Sequence, residues 1–183
     1  MRTVRAVLGI AMCIVLSGLA GALPALAQID RATRDRVVPA AVEVAAAALW
    51  QEKNFSFTFP VPMGSGTIVT PDGLILTNHH VVADDGLGAV IETWNSEAKK
   101  QFPGVEISLV PDQFLILTSD GVNDPVQSYT AVVVADDVRL DLAVLRITAD
   151  ASGDASAIVG QVFPFVPPGD SSAMGLGDRV HVF

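Results

Sequence analysis

The chain has 183 residues, 50% of them hydrophobic and 17% charged, with a formal net charge of −9. That is globular composition, long enough for one domain core or slightly more. The acidic balance argues against a nucleic-acid footprint and against attraction to an anionic membrane surface.

Arg2 and Arg5 precede an apolar run from Ala6 to Ala22, and "ALA" at 25–27 offers small residues before Gln28. A basic start, an apolar middle and an A-x-A site predict a secretory signal peptide over residues 1–27; the alternative is an uncleaved membrane anchor. The residues before Cys13, "GIAM", do not form a lipobox. Cleavage after Ala27 removes this single cysteine, so the mature chain has neither disulfide nor thiol nucleophile. It also removes two basic residues and no acidic ones, which takes the net charge from 11 − 20 to 9 − 20 = −11.

Residues 28–55 form an N-terminal extension that is expected to be partly helical; Pro39 interrupts its Ala-rich and charged run. From residue 56 short β-branched and apolar runs alternate with Gly, Pro and Asp, an all-β pattern. The runs are "GTIVT", "LILTNHH", "AVIETW", "QFLILTS", "YTAVVVAD" and "DLAVLRI", and "TPDG" at 70–73 makes a tight turn between the first two. Residues 83–110 read as an irregular insertion containing one strand. "DASGDASA" at 150–157 reads as a flexible linker. There is no repeat and no Gly-rich phosphate loop. The last residues, "GDRVHVF", read as part of a strand, which makes the sequence a piece of a longer protein.

Of three histidines, His79 and His80 are adjacent at the end of "LILTNHH"; the third is His181. On a strand, neighbouring side chains point to opposite faces and cannot easily share a metal. No cysteine, H-E-x-x-H pattern or nearby carboxylate run supplies further ligands, so no metal or cofactor is expected. From the pair alone, one buried, hydrogen-bonded histidine and one exposed histidine is the favoured reading. Asp141 heads an apolar strand expected to be buried on both faces, and an acid at such a mouth needs a partner. A histidine suits it, because a carboxylate accepting Nδ1–H fixes the imidazole tautomer. The alternative for Asp141 is a strand cap or a turn acid like Asp136 and Asp137.

"GSGTIVTPDGLILTNHHVV" followed by "DLAVLRI" resembles the first barrel of trypsin-like serine peptidases, in particular the bacterial exported Deg/HtrA-type group. The resemblance implies an all-β, chymotrypsin-like double antiparallel β-barrel with the active site between the barrels. It spans residues 56–149 as a complete first barrel and residues 150–183 as a linker and the truncated start of the second, where "AMGLGDRVHVF" is similar to the opening segment. In the family pattern T-N-x-H-V, His79 takes the variable position, so the resemblance implies His80 as catalytic base and Asp141 as the acid that orients it. Thr77 and Asn78 are then structural, and "GSG" at 64–66 permits close backbone approach, with Ser65 no nucleophile. Ser171 in "PGDSSAMG" precedes the "GDRV" strand and lacks the two following glycines of G-[ND]-S-G-G. It is a decoy, and the nucleophile is expected beyond Phe183.

The function implied is an exported, periplasmic or secreted serine endopeptidase acting on protein or peptide substrates. This piece alone is expected to be inactive, with no nucleic-acid partner and no stable membrane contact after signal removal. The alternatives are a catalytically inactive protease-like module that binds peptides or proteins, and a purely structural exported β-domain.

Overall fold

Six antiparallel strands close on themselves in the computed structural model, which describes residues 29–83 and 87–180. They are β1 (Ala41–Glu52), β2 (Phe55–Ile68), β3 (Leu74–Thr77), β4 (Val105–Thr118), β5 (Val126–Asp137) and β6 (Leu142–Asp150). Around the barrel the order is β1-β2-β3-β6-β5-β4. The segments expected as a signal peptide, and His181, lie outside the described residues. Among the described residues no helix is long and apolar enough to cross a membrane.

The barrel begins at Ala41, so residue 56 is not its boundary. The extension is helical over α1 (Arg31–Val37), and Pro39 sits in a single 3-10 turn that ends it. The Ala-rich stretch that follows is strand, although alanine favours helix. Val42 and Val44 join Ile68, Ile75, Ile116 and Leu145 in the core, while Ala45 and Ala47 join Leu115 and Leu117. β1 pairs along its length with both β2 and β4. Small side chains on both faces suit such a central position, and tertiary packing overrides the local preference.

After the short histidine turn α2 (His79–Val82), the expected irregular insertion at 83–110 contains a helix, α3 (Leu87–Gln101). "AVIETW" is therefore helix and not strand. Its β-branched composition pointed to a strand, but Leu87, Ile91 and Ala98 lie on one stripe against Ala46, Ala48, Val61 and Ile107. β1, β2 and β4 outrun the rest of the barrel, and α3 packs on their extension. Asn95 of α3 bonds the free side of β4: its Oδ1 accepts from Ile107 N at 2.6 Å and its Nδ2 donates to Ile107 O at 2.5 Å.

"DASGDASA" is an ordered turn and not a flexible linker. Asp150 Oδ1 accepts from Ser152 N, Ser152 Oγ and Asp154 N, and Asp154 Oδ1 accepts from Ser156 N and Oγ. These bonds hold the carboxyls of both aspartates below the usual carboxylate range, led by the serine hydroxyl in each case. The chain then straps the barrel end. Phe163 N donates to Pro71 O at 3.0 Å, Val166 N donates to Ile68 O at 2.9 Å, and the buried Phe163 ring meets Tyr129 edge-on. Residues 167–180 form no strand; their regular element is a 3-10 turn at Ser171–Ala173.

Candidate active site

β3 is four residues long and ends at Thr77, whose hydroxyl donates to Ser65 O at 2.7 Å. That bond pins the end of β3 to β2. Asn78 then stays extended (φ −85°, ψ 152°), and the chain turns directly into α2. The two histidines therefore sit on a helical turn and not on a strand. Neighbours on a helix diverge by about 100°, not by the 180° of opposite strand faces. The reason lies in Val81. It is buried against the barrel, and only a helical turn brings it back onto β2 there. A Cβ at Gly64 would lie 2.6 Å from Val81 Cγ2, and one at Gly66 would lie 2.7 Å from Ile75 Cγ2. The "GSG" glycines thus let the turn and β3 settle against β2 at short range.

Asp141 arrives from the turn between β5 and β6. Asp137 Oδ1 accepts from Arg139 N and Leu140 N, and Asp141 itself takes a left-handed φ of 51°, which aspartate tolerates better than most residues. β6 is buried on one face only, with alternating burial along its length, contrary to the expectation of two buried faces. Asp141 is instead held by direct partners. Its Oδ1 accepts from His80 N at 3.0 Å, its Oδ2 lies 2.8 Å from His80 Nδ1, and Asn78 Nδ2 donates to its backbone O at 2.9 Å and to Oδ2 at 3.3 Å. The His80 backbone N–H, followed by its ring, keeps the Asp141 carboxyl below the usual carboxylate range.

His80 and Asp141 are thus brought together, with the His80 ring mostly exposed and Nε2 opposite the carboxylate. His79 has a different partner: its Nδ1 lies 3.0 Å from Asp136 Oδ2. Each histidine is committed to its own aspartate, and no group of three His, Cys, Asp or Glu among the described residues could hold a metal ion. Ser65 lends its backbone carbonyl to Thr77. Ser171 caps no catalytic group; it begins the 3-10 turn whose Asp170 accepts from Ser172 N and Oγ, and it makes no hydrogen bond to His80 among the described residues. One residue of the site escapes sequence reasoning: Asn78, expected only at a bend, braces the acid. Asp137, expected as a turn acid, is one, and its bonds shape the loop that delivers Asp141. An Asn just before the histidine pair is the available signal for Asn78.

A family model for the trypsin-like peptidase domain matches residues 64–183. Among curated proteins, a probable periplasmic serine endoprotease, DegP-like, of Rickettsia conorii is 28% identical over 120 residues, 66% of this chain and 16% of its own. The protein of the same description from Chlamydia trachomatis is 30% identical over 115 residues, 63% of this chain and 15% of its own. This chain therefore spans about a sixth of the length of such relatives. A solved structure, the HtrA-type protease AlgW with decapeptide, is 18% identical, has a TM-score of 0.49 and is covered over 39% of its chain by 82% of this one.

Proposed function

The chain belongs to the trypsin-like peptidase domain family, and from that premise we propose that it is part of an exported serine endopeptidase in which His80 is the general base and Asp141 its orienting acid. One observation carries the reading: Asp141 faces both the backbone N–H and the Nδ1 of His80, at 3.0 Å and 2.8 Å. A carboxylate on Nδ1 leaves Nε2 as the proton acceptor. In the reaction a serine hydroxyl gives its proton to Nε2 as its oxygen attacks the peptide carbonyl. The imidazolium, stabilised by the Asp141 carboxylate, then returns that proton to the leaving amine. Asn78, donating to Oδ2, keeps the acid from rotating away, and the hydrogen bonds from His80 favour its ionised form.

The serine and the oxyanion donors are assigned to the part of the whole protein that this chain does not cover. Ser171 lacks the bond to His80 and the glycines that acyl transfer needs. The relatives' names support a periplasmic location and protein substrates. The test uses the full-length protein, a casein hydrolysis assay and a fluorophosphonate probe. Ser171→Ala should keep labelling and hydrolysis, His80→Ala should abolish hydrolysis, and residues 1–183 alone should neither label nor hydrolyse. Loss of labelling in Ser171→Ala, with the fold intact, would overturn the assignment of the nucleophile. A full-length protein that never labels would support the peptide-binding module instead.

A further inference from the structure

Where β1, β2 and β4 outrun the barrel, their sheet gathers residue types that are scarce elsewhere. Trp50, Phe55, Phe57, Phe59, Trp94 and Phe102 meet there, which is both tryptophans and four of the eight phenylalanines of the chain. The rings are continuous: Phe55–Phe57 centroids lie 5.6 Å apart, Phe57–Phe59 5.9 Å, Phe59–Trp94 6.1 Å and Trp50–Phe57 6.0 Å. α3 seals this face most tightly through the buried Leu87 and Ile91 of its first half, with Ala98 only partly buried beside them. Beyond it an open apolar recess of about 510 Å³ lies between helix and sheet. Phe55 is 62% exposed, Phe102 47% and Phe57 44%. A contiguous aromatic face left in water marks an interaction surface.

Charge and backbone narrow the partner. All three lysines of the chain, Lys53 at the β1–β2 tip and Lys99 and Lys100 at the end of α3, belong to this end, and there is no arginine between Arg36 and Arg139. Glu52, Glu92, Glu97 and Glu106 share this end with them, so it is close to neutral at 3 − 4 = −1 on a chain of net charge −9, and Lys100 is paired with Glu97. Its sheet edges are closed to a strand partner. Asn95 occupies the β4 edge at Ile107, and Pro60 and Pro62 lie where β2 has no neighbour but β1, since β2 meets β3 only at Thr67 and Ile68. What remains on offer is an aromatic face with lysines and glutamates at its margin, Glu97 lining the recess itself. Aromatic rings with lysines beside them are favoured at the boundary between lipid headgroups and acyl chains. An acidic body with one near-neutral, lysine-bearing end is also oriented with that end toward an anionic surface.

We propose that this aromatic end docks into the headgroup region of an anionic lipid bilayer, with the phenylalanine rings inserted and the lysines at the phosphates. The net charge of −9 belongs to the whole chain and does not describe this end, so it does not exclude a membrane contact here.

Both tryptophans sit at the proposed contact, so intrinsic fluorescence reports on it alone. The experiment mixes the full chain with vesicles of phosphatidylethanolamine and phosphatidylglycerol, with and without brominated acyl chains. Tryptophan emission should shift to the blue and be quenched by the brominated lipid. Phe55→Ser with Phe57→Ser, both exposed and so compatible with folding, should weaken the quenching titration roughly a hundredfold, about a factor of ten per inserted ring. Lys53→Glu with Lys99→Glu should weaken binding and reduce its dependence on phosphatidylglycerol. Vesicle co-sedimentation with unquenched tryptophan would overturn the proposal, because another segment, such as the apolar run at 6–22, would then make the contact. Quenching unchanged in the serine variant would overturn it too. So would self-association without vesicles that the serine variant abolishes, which would assign the face to a second copy of the chain.

Discussion

Gly64→Ala tests how the histidine turn is seated. The added methyl would lie 2.6 Å from Val81 Cγ2 and 3.2 Å from Val81 Cγ1. Carbon atoms settle at about 3.5–4.0 Å, so the intrusion is roughly 1 Å. Val81 cannot swing into solvent, because it is only 4% exposed and packs in the barrel core. Nor can β2 easily retreat, because Thr77 holds the Ser65 carbonyl from the other side. Overpacking of this kind costs about 1–3 kcal/mol. The reduced freedom of the unfolded chain returns about 0.4–1 kcal/mol of that. A net loss of about 1–2 kcal/mol is expected from urea denaturation followed by far-UV circular dichroism. Val81→Ala alone should cost about 1–3 kcal/mol through two lost methyls and the space they leave. In the double variant the new methyl occupies part of that space, so the combined loss should fall short of the sum by about 1–2 kcal/mol. Additivity within about 0.5 kcal/mol, or a neutral Gly64→Ala, would refute the close-packing argument.

Asn95→Ala should destabilise the chain by about 1–3 kcal/mol by leaving Ile107 N and O without their partner, as read by the same urea titration. Asp141→Asn in the full-length protein should lower kcat by about four orders of magnitude through the wrong His80 tautomer, whereas His79→Ala, whose partner is Asp136, should leave most of the activity. A change below about tenfold for Asp141→Asn would remove that residue from the site. The Asp141 and Asp150 carboxyls are held below their usual range by hydrogen bonds in the fold. A depressed native pKa gives stability that is present above the unfolded value of about 3.9 and lost as pH falls below it. Asp150→Asn should therefore shrink the stability difference between pH 6 and pH 3, and an unchanged difference would show that its serine contacts are not maintained in solution.

The parts of the fold written in local chemistry could be read from the sequence. The "TPDG" turn, the apolar runs of β3 and β6, and the pairing of His80 with Asp141 follow from turn residues, short-range pattern and a motif. What could not be read depended on distant partners. "AVEVAAAA" is strand because β2 and β4 flank it, and nothing within the run records them. "AVIETW" is helix because Leu87, Ile91 and Ala98 face the β1–β4 extension, while its own composition favours strand. His79 and His80 leave the strand pattern because Val81 must reach the core beside Gly64. Asn78 reads as a bend residue in its own stretch, because the Asp141 it braces lies far along the chain.

The placement of β1 also sets an order for folding. Its hairpin with β2 closes over a turn of two residues, so that pairing is local and fast. Its other edge must wait for β4, where Val42 comes to lie opposite Thr118. Loop closure over such a span is slow, and a barrel sealed by it has high contact order. Until β4 pairs with it, the second edge of β1, rich in Val and Ala, is the one open to mispairing. Substitutions at the β1–β4 seam should slow barrel closure, and those at the β1–β2 tip should act mainly on the early hairpin.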